Sequence, residues 1–188
     1  MIKQIVTIAI TVLLSFHVSA KEVAGITIPE KIKISGSDKV LMLNGAGIRS
    51  KFFFDIYIGA LYLEQLTGEA KNAVVLPGVK RVTMHFLYKE VEKEKLIEGW
   101  NDGFKNNNEA TQLKTLQVRL EKFNSFFQTA YKGDVINLDY LPGVGTHMYL
   151  NNQLKGIIAG DDFYRALLKV WLGDEPADSG LKDAMLGE

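Results

Sequence analysis

Cysteine is absent from the 188-residue sequence, and histidine is scarce, with three residues. Without cysteine the chain can form no disulfide and can carry no lipid-modified cysteine, so its stability has to come from a packed core. Only His85 and His147 lie beyond the first 20 residues, and they are far apart in the sequence. This scarcity argues against a histidine-based metal site or catalytic triad.

An excess of charge of either sign is also absent. The chain has 22 basic and 22 acidic residues, which gives a formal net charge of zero. Nucleic-acid binding needs a surplus of Lys and Arg on one surface, so this balance argues against a nucleic-acid partner. It gives no indication of binding to a membrane surface either.

The first 20 residues have the three parts of a secretory signal. Lys3 provides a positive start, residues 5–16 form an apolar run, and Val18 to Ala20 place small residues where a signal peptidase reads them. A retained anchor is the competing interpretation, but the run of about 12 residues is shorter than the roughly 20 that a membrane-spanning helix needs. We therefore predict cleavage after about Ala20, and the lack of cysteine favours the bacterial periplasm as the destination.

Residues 21–188 are predicted to form one domain. Their number, about 168, is typical of a single domain with its own core. No internal repeat, low-complexity tract or linker rich in Pro, Gly or Ser divides them. Every hydrophobic stretch is interrupted by charge, Gly or Asn within a few residues, so the mature chain should have no transmembrane segment.

Strand-like patterns dominate the first half of this domain. Apolar and polar residues alternate most clearly around Val82, Met84 and Phe86, which is the period of a strand with at least one buried face. The predicted strands are residues 26–28, 32–34, 40–43, 52–63 and 82–86.

The period then changes to that of helices. Ile97, Trp100 and Phe104 indicate one amphipathic helix, and residues 113–127 continue the three-four spacing in a second. The three Asn residues at 106–108 are predicted to separate the two helices. The aromatic side chains of both helices are expected in the core, although a lipid pocket would use the same residue types.

Local signals predict how the later elements begin and end. Gly133 is expected to close the second helix, and the Asn pair at 151–152 is expected to form a hairpin turn between two strands, because Asn tolerates positive φ. The Asp pair at 161–162 is expected to cap a helix that extends to Gly173, and a short helix over 181–186 follows. The order of elements predicts an α+β fold, in which an antiparallel β-sheet carries a layer of α-helices on one face.

The glycine-rich segment from Asn44 to Gly47 begins like a phosphate-binding loop. It lacks the Lys and hydroxyl residues and the third spaced glycine of such loops, and a strand follows it, so we interpret it as a tight turn and predict no nucleotide cofactor. Arg49 comes next, at the head of an aromatic strand. An Arg there is either exposed or anchors an anion in a pocket, because its planar guanidinium binds carboxylates through two bonds.

Several segments together resemble the chalcone isomerase-like family. The likeness is carried first by residues 43–51 and 54–64, and it continues in the family's order to the end of the chain. The later matching segments are Glu98 to Trp100, Lys132 to Asp134, Pro142 to Thr146, Asp162 to Phe163 and Trp171 to Gly173. The resemblance covers nearly all of the mature chain and implies a ligand cleft between an antiparallel sheet and its helices.

The resemblance also implies where a ligand would bind. Chalcone isomerases use an Arg that matches Arg49 and a Thr that falls on Tyr57. Their Tyr and Asn fall near Glu92 and Gly99, and a further Thr falls on Val170, so most of the polar network that binds a flavonoid is missing. An Arg with a Tyr resembles the fatty-acid-binding branch of the family, in which this pair holds the carboxylate.

The resemblance therefore favours a non-enzymatic domain without a cofactor, in which Arg49 and Tyr57 hold a small amphipathic ligand such as a fatty acid. Two alternatives stay open. One is a cofactor-independent isomerase or lyase acting on an enone or a related acid, with Arg49 as electrophilic clamp and Tyr57 as proton donor. The other is a protein-interaction domain whose cleft is filled by side chains.

Overall fold

The computed structural model describes residues 20–188. The predicted export signal lies outside the described residues, apart from Ala20, where the first strand begins. The strands are β1 (Ala20–Val23), β2 (Ile26–Pro29), β3 (Lys31–Lys33), β4 (Val40–Lys51), β5 (Phe54–Leu63), β6 (Lys80–Phe86), β7 (Glu90–Val91), β8 (Ala130–Tyr131), β9 (Val135–Leu141), β10 (Gly145–Leu150) and β11 (Gln153–Ile158). The helices are α1 (Ala70–Val75), α2 (Lys93–Asn107), α3 (Ala110–Asn124), α4 (Asp161–Leu172) and α5 (Ser179–Met185).

Seven strands form one antiparallel sheet in the order β11-β10-β9-β6-β5-β4-β3. The larger core lies between this sheet and the helices, and its fully buried members include Phe104, Phe163 and Trp171. A smaller core on the opposite face includes Ile28 from β2 and Ile58 from β5. The predicted α+β fold, with helices on one face of an antiparallel sheet, is confirmed. None of the helices within residues 20–188 has the length and apolarity needed to cross a bilayer.

Two predicted boundaries are confirmed by local geometry. The Asn pair at 151–152 joins β10 to β11, and both residues have the positive φ that a type I′ turn requires, 49° and 65°. The predicted break between the first two long helices is also present, since α2 ends at Asn107 and α3 begins at Ala110.

Two other boundary predictions are wrong. Gly133 does not close a helix, because α3 ends at Asn124 and Gly133 lies in the turn between β8 and β9. The Asp pair at 161–162 does not cap α4, because the helix already starts at Asp161 and Gly160 is its N-cap. The carboxylate of Asp162 instead accepts two hydrogen bonds of 2.7 Å from Arg119 in α3.

The prediction of a tight turn from Asn44 to Gly47 is wrong as well. These residues lie inside β4, which extends from Val40 to Lys51 with an irregularity in its pairing to β5 between Leu43 and Gly45, and the chain turns only at Phe52 and Phe53. The glycines are explained by packing. A Cβ atom on Gly45 would overlap the carbonyl oxygen of Ala184 in α5, so the absence of a side chain lets this helix lie directly on the strand.

Candidate functional site

A cleft of about 600 Å³ opens between the sheet and α2. Its volume lies within the usual range for pockets that hold small organic ligands. The segment from Glu175 to Ala177, which follows α4, forms a further part of the wall. Apolar residues of the lining include Ile56, Met84, Leu96, Trp100 and Val170.

Arg49 and Tyr57 come together in this cleft. They are direct neighbours in the antiparallel register of β4 and β5, so their side chains lie on the same face of the sheet. The guanidinium carbon of Arg49 is 5.7 Å from the centre of the Tyr57 ring, which is a cation-π distance. The structure thus places both predicted site residues side by side, while their role in ligand binding stays a prediction.

Tyr57 has a hydroxyl group whose hydrogen is free to be donated. The residue is 4% exposed, and its hydroxyl oxygen accepts a hydrogen bond of 2.9 Å from Nε1 of Trp171. Within residues 20–188 no acceptor receives the hydroxyl hydrogen. Burial raises the pKa of Tyr57, and the positive charge of Arg49 and the bond from Trp171 oppose this effect only in part. The side chain is therefore a neutral donor at the inner wall of the cleft.

Two further donors of the cleft have no partner among the described residues. Nε of Arg49 and Nε1 of Trp100 are both buried and form no hydrogen bond there. A buried donor without a partner costs about 1–3 kcal/mol, so a bound acceptor would offset a real penalty. Together with the hydroxyl of Tyr57, three donors in residues that line the cleft have no acceptor among the described residues.

The exposed charges around the cleft have mixed signs. The lining includes Lys51, Lys89 and Lys95, and it also includes Glu90 and Glu92 with further acidic side chains. The cleft as a whole is therefore not an electropositive funnel. Arg49 differs from the lysines because it is partly buried beside an apolar surface, where its charge is less screened by water.

Besides Tyr57, three positions at which the sequence departs from chalcone isomerases belong to the lining. Glu92, Gly99 and Val170 all border the cleft. Gly99 offers no side-chain donor and Val170 is apolar, and apart from Arg49 the charged side chains of the lining are exposed. This composition suits an apolar ligand that carries one polar end.

Sequence reasoning missed the two tryptophans as parts of the site. Trp100 is buried in the core as predicted, and it also lines the cleft. Trp171 is predicted only as part of a helix end, although it donates a hydrogen bond to the Tyr57 hydroxyl. Trp171 is 114 positions from Tyr57 in the sequence, so no local pattern could have linked them. The ring centres of the two tryptophans lie 5.5 Å apart.

Comparison with known proteins gives two findings on fold and family. The structure superposes on that of a fatty-acid binding protein of Arabidopsis thaliana with a TM-score of 0.67 and 16% sequence identity, covering 86% of this chain and 92% of the other. No curated protein has significant sequence similarity to the chain. The sequence profile described as chalcone isomerase-like matches residues 20–187, and the chain therefore belongs to the chalcone isomerase-like family.

Proposed function

We propose that the protein is a non-enzymatic carrier or receptor that binds a fatty acid in the cleft beside Arg49. The observation that carries the proposal is the pairing of Arg49 and Tyr57, which leaves a buried guanidinium nitrogen and a hydroxyl hydrogen without partners among the described residues. A carboxylate accepts hydrogen bonds from both kinds of donor and carries the charge that neutralises Arg49. The likeness to a fatty-acid binding protein of the same fold is consistent with this assignment.

The two ends of such a ligand would contribute differently to binding. Each methylene group of the acyl chain that is buried against the apolar lining contributes about 0.8 kcal/mol. One charge-assisted hydrogen bond contributes about 1.5–3 kcal/mol. The chain therefore supplies most of the gross affinity, while Arg49 and Tyr57 fix the orientation of the ligand.

Replacing Arg49 with Ala tests the proposal directly. We expect the Kd for palmitate to rise about 10-fold to 100-fold, because the variant loses a charge-assisted hydrogen bond. Isothermal titration calorimetry measures this change. Arg165→Ala is the matched control, because Arg165 is exposed on α4 and does not line the cleft. Unchanged palmitate affinity in Arg49→Ala, or no palmitate binding by the unmodified protein, would refute the proposal.

The affinity for palmitate should not change with pH between about 7 and 9.5. Burial raises the pKa of Tyr57 above its usual value of 10, so the hydroxyl remains a donor throughout this interval. The folded state keeps this proton above pH 10, where an unfolded chain would release it, so any loss of binding or stability through Tyr57 belongs to more alkaline solutions. A calorimetric series across this pH interval measures the effect, and a tenfold weakening below pH 9 would contradict the proposed role of Tyr57.

A cofactor-independent isomerase or lyase is the second candidate, favoured by the same adjacency of Arg49 and Tyr57. In that case Arg49 would polarise a carbonyl group, and Tyr57 would donate a proton. A direct assay of chalcone cyclisation, with Tyr57→Phe as control, distinguishes this activity from binding alone. The open cleft gives less support to the third alternative, a domain that works only through protein partners with its cleft filled.

We further propose that this binding takes place outside the cytoplasm. The support is the signal-like segment of the sequence from Lys3 to Ala20. N-terminal sequencing of the protein recovered from an extracellular or periplasmic fraction tests this, and a mature chain that still begins at Met1 would refute it.

A further inference from the structure

Three consecutive phenylalanines are exposed at the turn between β4 and β5. Phe52, Phe53 and Phe54 are 85%, 98% and 53% exposed, and we call them the phenylalanine tip. Single exposed apolar residues are ordinary on protein surfaces, whereas adjacent large ones mark interaction sites. The other large hydrophobic side chains that are exposed within residues 20–188, such as Val118 and Leu154, are isolated in the sequence.

The turn itself gives no reason for these aromatic residues. Phe52 has a φ of 58°, a left-handed conformation that Gly or Asn adopts with less strain than a bulky side chain. Both the local backbone and the surrounding water therefore favour other residue types at this position. The presence of Phe52 indicates that its ring has a function outside the turn.

The phenylalanine tip borders the mouth of the cleft. Lys51, which directly precedes the tip, is part of the cleft lining. The ring of Phe54 packs edge-on against Tyr88 at a centroid distance of 5.3 Å, and Tyr88 also lines the cleft. A surface that receives the tip would therefore also lie next to the cleft opening.

We propose that the phenylalanine tip inserts into the interface of a lipid bilayer and brings the cleft to the lipids. Burying three Phe side chains at about 150–250 Å² each gives at most roughly 450–750 Å², because Phe54 is already half-buried. This area is less than the roughly 800 Å² per partner of a standard protein interface. A bilayer needs no matching surface shape to receive an apolar protrusion. The mixed signs of Lys51, Lys89 and Glu90 near the tip indicate that insertion is driven by the rings rather than by anionic lipid.

The delivery of a ligand from the membrane to the cleft rests on the proposed function, whereas the membrane contact does not. A fatty acid in a bilayer has its carboxylate at the interface, which is the level that the tip would reach. Docking there shortens the path of the ligand between membrane and cleft. The membrane contact itself requires only the exposed rings, so it can be tested without any fatty acid.

Flotation with phosphatidylcholine vesicles tests the contact on the chain from Lys21 onward, which contains all of the described fold except Ala20. We expect Phe52→Ser/Phe53→Ser to lower the partition coefficient about 100-fold, roughly tenfold for each ring. Val118→Ser, which removes a 77% exposed side chain on α3, should leave partitioning unchanged. Raising the salt concentration to about 0.5 M should also leave the partition coefficient unchanged. Salt at this concentration screens exposed charges, whereas the proposed insertion is driven by the apolar rings.

Three results would overturn the inference. The unmodified protein could remain in the dense fraction, or the double variant could float equally well. The double Phe variant could also convert a dimer to a monomer in analytical ultracentrifugation, which would assign the tip to contacts between copies of the chain. Arg49→Ala separates the two proposals, because it should float like the unmodified protein while its palmitate affinity is reduced.

Discussion

Gly45→Val is expected to detach α5 from the sheet and to lower the free energy of unfolding by about 3–6 kcal/mol. The new side chain would overlap the backbone of α5 at Ala184, which a rotamer change cannot avoid. Leu181 and Met185 are both 0% exposed, and their displacement would lose about 1.5–3 kcal/mol of burial each. Urea unfolding followed by circular dichroism measures the loss.

The attachment of α5 on both sides explains why the helix cannot simply shift. The side chain of Asn44 donates a hydrogen bond of 2.8 Å to the carbonyl oxygen of Met185 at one end. At the other end Asp178 accepts bonds from the amides of Leu181 and Ser50, at 2.9 and 3.0 Å. Moving the helix away from β4 would break these bonds.

Gly68→Val is the matched control for this prediction. Gly68 is exposed, and the nearest atom to an added Cβ would be the carbonyl oxygen of Leu186 at 3.7 Å, which is an ordinary contact. We expect the control to change the free energy of unfolding by less than about 1 kcal/mol. Equal losses in both variants would contradict the packing explanation for Gly45.

Arg81→Met is expected to destabilise the fold by about 3–5 kcal/mol, because it leaves a buried carboxylate without its cation. Asp139 is 0% exposed in β9 and is bound through both oxygens by Arg81 in the neighbouring β6, with 2.7 Å between Nη2 and Oδ2. Urea unfolding followed by circular dichroism measures the loss.

The double variant Arg81→Met/Asp139→Leu separates charge from packing. Replacing both members of a buried ion pair by apolar residues is often neutral for stability, so we expect most of the loss to be recovered. If the double variant were as unstable as Arg81→Met, the shape of the site rather than the unpaired charge would explain the loss. Palmitate affinity should be unaffected in the double variant, since neither residue lines the cleft.

Periodicity predicted the main elements because burial imposes it directly. The alternation around Val82 and Met84 reflects one face of β6 in the core, and the spacing of Trp100 and Phe104 reflects the inner side of α2. The Asn pair at 151–152 was predictable because its conformation is decided by the two residues themselves. Fold class and hairpin were therefore accessible from the sequence.

Two of the wrong predictions concern residues whose role is decided by distant parts of the chain. The glycines of β4 resemble a turn, but they are required by α5, whose Met185 lies 141 positions from Asn44. The Asp pair at 161–162 resembles a cap, but Asp162 instead binds Arg119 from another helix. The side-by-side position of Arg49 and Tyr57 was implied by the family resemblance, whereas the bond from Trp171 depends on packing that no local pattern encodes.

The position of the two tryptophans gives the protein its own optical reporter. Trp100 borders the cleft, Trp171 touches the Tyr57 hydroxyl, and the sequence contains no other indole. All indole fluorescence of the chain therefore originates from two side chains, one that lines the cleft and one that contacts Tyr57. Occupancy of the cleft can accordingly be followed in real time by emission intensity and wavelength, without attaching a dye to the protein or to its ligand.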